Sequence, residues 1–148
     1  MSDGLIQSAR TAASNAHAPY SRFGVGAAVL LDDGSVVTGC NFENASYGLS
    51  LCAEIVALAT LNAQGKLRQI REIAIVGGRL DKRAISGSTP VRPCGRCRQV
   101  MTEAAQLALR DIIVHCASAD LSVVEKFWLS DLLPLPFGPS DMGLVQDD

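Results

Sequence analysis

Apolar residues at Leu5, Ile6, Ala9, Ala12, Ala13 and Ala16 recur at helical spacing and stop before Pro19, so the chain opens with an amphipathic helix. From Val25 to Leu31 the pattern becomes a continuous run rich in Val and Leu. Asp32-Asp33-Gly34-Ser35 and then Val36-Val37-Thr38 follow, which is the signature of a β-hairpin. Leu51 to Ala63 is dense in helix-forming residues and ends at Gln64-Gly65, where glycine suits the left-handed position after a helix. Ile73-Ala74-Ile75-Val76 and Ile112-Ile113-Val114-His115 read as buried strands. Between them, Asp81 to Pro90 reads as a connecting loop, and Pro93 introduces a third helix from about Cys94 to Leu109. Val123 to Leu133 reads as a short helix, ahead of an irregular tail set by Pro134, Pro136, Gly138 and Pro139. Buried strands need cover on both faces, so the pattern predicts a three-layer α/β/α sandwich. A chain of 148 residues suits one domain, spanning residues 1–148.

Composition narrows the function classes. A net charge of −2 offers no general attraction to phosphate backbones, and 5% aromatic residues give no stacking-rich channel, so nucleic acid is not an expected partner. Hydrophobic residues make up 48% and charged residues 19%, an apolar balance that predicts surface buried between copies of the chain. No basic leader precedes an apolar stretch, and no apolar run approaches the roughly 18 residues of a membrane span. The expectation is a cytoplasmic protein with no membrane partner. Five cysteines in a reducing compartment do not suit a disulfide framework, which moves metal binding and catalysis forward.

Cys52-Ala53-Glu54 opens the second helix and Pro93-Cys94-Gly95-Arg96-Cys97 opens the third, so three thiols stand at helix N-termini. The partial positive charge there favours thiolates, the form that ligates metal. Cys94 and Cys97 lie one turn apart on the same helix side. With Cys52 they make a three-thiolate set suited to tetrahedral zinc with a fourth position left for water. Glu54, two residues from Cys52, converges on such a metal only off the helix tip. There it could act as an acid/base group; otherwise it is a solvated carboxylate improving its helix dipole. Cys94 and Cys97 alone could equally be a redox pair or half of a structural zinc site. Cys40 and Cys116 read as small core residues at strand ends, with completion of a closed four-cysteine site as the alternative.

Cys52-Ala53-Glu54 and Pro93-Cys94-Gly95-Arg96-Cys97-Arg98-Gln99-Val100 resemble the two zinc motifs of cytidine deaminases, in which a glutamate that is not a ligand shuttles protons. The similarity extends to Pro19–Ala28, to Asn41–Leu49, and to Leu132-Leu133-Pro134 with Phe137-Gly138-Pro139, nearly the whole chain in the family's order. The resemblance implies a cytidine deaminase-like sandwich with a central mixed sheet of about five strands. It implies zinc, one ion per subunit, held by Cys52, Cys94 and Cys97, with Glu54 as the catalytic residue. Asn41 and Glu43 would bind the ribose hydroxyls, and their alternate spacing puts both on one side of a strand end with Phe42 facing the core. Phe23 and Phe137 would flank the pyrimidine ring, Ala53 would line the substrate site, and Tyr47 would reach in from an adjacent subunit. The implied activity is hydrolytic deamination of cytidine and 2′-deoxycytidine to the uridines and ammonia in pyrimidine salvage. The implied assembly is a homotetramer whose active sites neighbouring subunits complete.

Two positions depart from the family pattern. Ile55 stands where many members carry an arginine, and three thiolates around a divalent cation leave a surplus negative charge that opposes formation of hydroxide. Helix N-termini, Arg96 or Arg98 would have to offset it. His17 replaces a usual tyrosine, and it and His115 are expected to be structural. Competing readings are a deaminase of an aminonucleoside antibiotic such as blasticidin S, which tolerates an aliphatic residue after the glutamate, and a non-enzymatic zinc-stapled domain, which needs a fourth cysteine ligand.

Overall fold

In the computed structural model, which describes residues 2–145, the central strands of one sheet are buried on both faces and only its two outermost strands alternate in burial. The strands are β1 (Phe23–Leu31), β2 (Val36–Cys40), β3 (Ile70–Asp81), β4 (Ala84–Ser86), β5 (Ile113–Ser118) and β6 (Val124–Trp128). Their order is β2-β1-β3-β5-β6, with β4 paired to β3. Among the described residues, the one parallel pair of strands is β3 and β5, and the helix α3 (Gly95–Leu107) lies between them in the chain, as a parallel crossover requires. The sheet is therefore mixed, as expected, with the short β4 added to the five strands of the main path.

On one face, Val29, Leu31, Ile73, Ile75 and Val114 pack with α2 (Ala53–Ala63) and α3 through Leu58, Leu61 and Met101. Each of the fully buried Leu and Ile side chains contributes roughly 1.5–3 kcal/mol. On the other face, α1 (Ser2–Ala13) buries Leu5, Ile6 and Ala9 against Ala28, Ala74, Val76 and Ala117. Small sheet residues let α1 approach closely, which gives the three layers. At β2, a Cβ on Gly39 would fall 2.5 Å from the Ala57 amide nitrogen, so only glycine allows α2 to lie where it does.

Several local expectations are corrected. The first helix ends at Ala13, and Ala16 lies in the following turn. The stretch from Asp81 to Pro90 is not wholly a loop: β4 pairs Ser86, Ile85 and Ala84 with Arg79, Leu80 and Asp81. Its hairpin turn places Lys82 and Arg83 at positive φ without glycine or asparagine, so the usual turn signal is missing. Residues 124–128 form the edge strand β6 rather than a helix; only α4 (Leu129–Leu132) is helical there. Glu125 and Phe127 point inwards and Val124, Lys126 and Trp128 outwards, so pairing with β5 outweighs the helical reading. Cys116 is fully buried in mid-strand rather than at a strand end, opposite Glu125. His115 is a buried structural histidine, its Nε2 2.8 Å from Glu72 Oε2 on β3.

Candidate active site

The N-termini of α2 and α3 meet at the edge of a cavity of about 270 Å³ lined by Asn41, Glu43, Cys52, Ala53, Glu54 and Cys94, among others. Cys52 and Cys94 are the residues at which these helices begin, each with extended backbone, and Cys97 follows within the first turn of α3. Cys94 Sγ lies 3.4 Å from Cys97 Sγ and 3.9 Å from Cys52 Sγ, and all three sulfurs fall within 4.8 Å of one another. Tetrahedral zinc with thiolate bonds of about 2.3 Å spaces its sulfurs by roughly 3.8 Å. The donor set fits zinc in type and spacing, and none of the cysteines is in a disulfide. Among the described residues, neither Cys40 nor Cys116 joins the cluster, which leaves the closed four-cysteine site without its fourth ligand.

The cluster is electrically uneven. Hydrogen bonding to Cys97 draws the Cys52 thiol down to about 6 against the opposing effect of its burial. The same bond, with burial, pushes the Cys97 thiol up. Arg96, exposed on the first turn of α3, adds its charge to what favours the Cys52 thiolate. Ile55 instead packs against the core, and Arg98 is committed elsewhere, donating from Nε to the Pro93 carbonyl and from Nη1 to the Leu132 carbonyl. Glu54 is 4% exposed, and its burial lifts the carboxyl above the ordinary range, with a hydrogen bond from Cys97 opposing. A carboxyl so placed keeps its proton more readily than an exposed one, which suits a group that must both take and give a proton.

Asn41 and Glu43 reach the cavity from the end of β2 and are tied to the 17–23 segment. Asn41 Oδ1 accepts the Val25 amide and its Nδ2 donates to the Phe23 carbonyl, both at 2.8 Å. Glu43 accepts the amides of Tyr20 and Ser21, each at 3.1 Å, and the Ser21 hydroxyl. Burial alone would raise the Glu43 carboxyl, but the Ser21 and Tyr20 donors outweigh it and hold the group below its usual range.

Phe42, expected in the core, is 53% exposed and stacks edge-on against His17 at 5.8 Å. Phe42 itself makes isolated bridges to His17 and Leu51 rather than continuing the strand, so the inward alternation of β2 stops at Cys40.

The aromatic contacts do not converge on the cavity within this chain. Phe23, Tyr47 and Phe137 are exposed and lie outside its lining. Tyr47 stacks on Tyr20 at 5.5 Å, and Phe137 is held to α3 through its carbonyl by Gln99 Nε2. Arg92, absent from the sequence reasoning, lines the cavity and bonds Glu125 Oε2 at 2.8 Å, tying β6 to the segment before Cys94. Its partner lies 33 positions away, which no local pattern could have signalled.

Residues 2–116 match the family model described as the cytidine and deoxycytidylate deaminase zinc-binding region. The chain is 46% identical to a cytidine deaminase of Mycobacterium tuberculosis, over 93% of this chain and 90% of that protein. It is 44% identical to one of Halalkalibacterium halodurans, over 93% and 95%. The crystal structure of a Burkholderia pseudomallei cytidine deaminase superposes with a TM-score of 0.80 at 40% identity, covering 93% of this chain and 99% of that one. The thiol cluster, the sheet that carries it and these similarities agree: the chain belongs to the zinc-dependent cytidine and deoxycytidylate deaminase family.

Proposed function

We propose that the protein hydrolyses the 4-amino group of cytidine and 2′-deoxycytidine, releasing uridine or deoxyuridine and ammonia, with residues 1–148 acting as one catalytic domain. The observation that carries this reading is the buried Glu54 carboxyl beside a cluster of three thiols, at a cavity that Asn41 and Glu43 also line. Cys52, Cys94 and Cys97 hold zinc, which when bound supplies the Lewis acidity that makes water a nucleophile near neutral pH. Glu54 takes a proton from the attacking water and delivers it to ring N3, which makes C4 electrophilic. The same carboxyl then conveys a proton to the 4-amino group, so nitrogen leaves as ammonia and the oxygen of water stays on C4. Asn41 and Glu43 receive the ribose hydroxyls, and Ala53 closes the wall beside them.

The cavity, about 270 Å³, stands at the lower end of the roughly 300–1,000 Å³ usual for small-molecule sites and is open to solvent. That, with the outward Phe137 and Tyr47, supports a homotetramer in which neighbouring subunits complete each site and in which Phe23 and Phe137 sandwich the pyrimidine. A cytoplasmic role in pyrimidine salvage follows from this activity; among the described residues, no helix is long and apolar enough to cross a membrane.

The test is ammonia release by the zinc-loaded protein given cytidine, deoxycytidine and blasticidin S in parallel. Turnover of the nucleosides is expected. Turnover of blasticidin S alone would transfer the activity to antibiotic inactivation, and silence on all three with zinc bound would favour a structural metal.

A further inference from the structure

Behind the segment that carries the Glu43 contacts lies a second cavity, of about 620 Å³. Residues 16–19 and Arg22 wall it on one side, and Arg79, Leu80, Asp81, Lys82 and Arg83 of the β3–β4 hairpin on the other. Four cationic side chains, those of Arg22, Arg79, Lys82 and Arg83, thus stand around one space with the single carboxylate of Asp81 and the ring of His17. The chain as a whole carries a net −2, so this is a local concentration of positive charge. Among the described residues, ion pairs form at Lys66, Arg92, Arg110 and His115, and none includes any of the four.

The two walls are joined through their backbones. Arg22 donates its amide to the Ala18 carbonyl at 2.9 Å and accepts the Leu80 amide at 2.8 Å. Arg22, Lys82 and Arg83 have φ of 55°, 45° and 65°, a left-handed backbone that arginine and lysine rarely adopt. At Lys82 and Arg83 this is the two-residue hairpin turn, which fixes both side chains at the rim of the cavity. Guanidinium forks match phosphate oxygens in pairs, and a space of this size set about with four cations suits an extended anion better than a single phosphate.

We propose that this cavity binds a polyphosphate anion and that its occupancy alters the neighbouring nucleoside site. The link is the shared segment. Its outer face forms one wall of the cationic cavity, while its Tyr20 and Ser21 amides hold Glu43. His17 donates its amide to the Asn41 carbonyl and accepts that of Glu43. An anion that draws Arg22 towards the hairpin therefore acts on the backbone that orients both polar residues of the first cavity. Linkage makes the effect reciprocal: nucleoside binding alters anion affinity by the same factor. This coupling rests on the proposed function; the anion site does not.

The experiment is calorimetric titration of the zinc-loaded full-length protein with inorganic triphosphate, ATP and inorganic phosphate, followed by measurement of cytidine KM at saturating anion. Triphosphate is expected to bind once per subunit, more tightly than phosphate, with affinity falling as salt rises. Comparison with ATP tells whether the anion is a free polyphosphate or a nucleotide. The double variant Lys82→Asn/Arg83→Asn removes two charges with a residue that tolerates left-handed backbone, and should weaken binding roughly tenfold or more. Its anion-free kcat and its unfolding midpoint should match the wild type. Absence of saturable triphosphate binding, or equal binding by the double variant, would overturn the site. So would loss of the native oligomer in that variant, since the cations would then serve a subunit contact. A cytidine KM unchanged by saturating anion would overturn the coupling. Anion binding by a protein that does not deaminate cytidine would fail the nucleoside reading alone.

Discussion

A Cβ placed on Gly39 would stand 2.7 Å from the Ala53 carbonyl oxygen, so β2 and α2 are in backbone contact where α2 begins. Cys52, the residue before Ala53, takes its position from that contact. Gly39→Ala is therefore expected to displace the first turn of α2, costing about 1–3 kcal/mol of stability and weakening zinc binding. Urea unfolding and zinc titration check this together. A wild-type midpoint with wild-type affinity would show that the contact does not position the metal site.

Glu43 yields a pH prediction with a definite sign. Its folded carboxyl lies below the ordinary value, so its hold on Tyr20 and Ser21 stabilises the segment above the unfolded pKa and is lost as pH falls through the folded one. Cytidine KM should rise on acidification through that window, on top of any change in kcat. Glu43→Gln should raise KM roughly tenfold or more at neutral pH and flatten the acid limb of the KM profile. A variant profile parallel to the wild type would assign that limb to another group.

The thiol cluster separates ligands from bystanders. Cys94→Ala is expected to lose zinc and activity together, since two thiolates remain where three converge. Cys40→Ser, outside the cluster, should keep both. Metal content of the two purified variants decides the matter, and zinc lost from Cys40→Ser would revive the closed structural site.

Phe137 is 66% exposed, with its backbone pinned to Gln99 on α3. If it completes a neighbour's site, Phe137→Ala should raise cytidine KM by roughly three- to tenfold, the scale of an aromatic stacking contact, with zinc content unchanged. Dilution below the subunit dissociation range should lower specific activity in the same preparation. A KM insensitive to both would make each subunit self-sufficient.

The parts of the fold legible in the sequence are those whose signal is local. The Asp32-Asp33-Gly34-Ser35 turn between two apolar runs marks β1 and β2, and Gly65, at φ 71°, ends α2 as its position implies. The thiol cluster was legible because helix N-termini and one-turn spacing constrain where sulfurs can meet. What was not legible depended on distant partners. Residues 124–128 become a strand because β5 offers them an edge, and Lys82 and Arg83 turn a hairpin without the residues that announce one. Phe42 leaves the core because the strand ends two residues earlier than alternation supposes, and Arg92 enters the site through Glu125 on the sheet edge.

The most direct test of the account is Glu54→Gln, with zinc content and cytidine turnover measured on the same sample. Glutamine keeps the shape and cannot carry the proton, so wild-type zinc stoichiometry with turnover reduced at least about a hundredfold is the expected result. Substantial turnover by a zinc-loaded Glu54→Gln protein would contradict the proton-shuttle role on which the proposed mechanism stands.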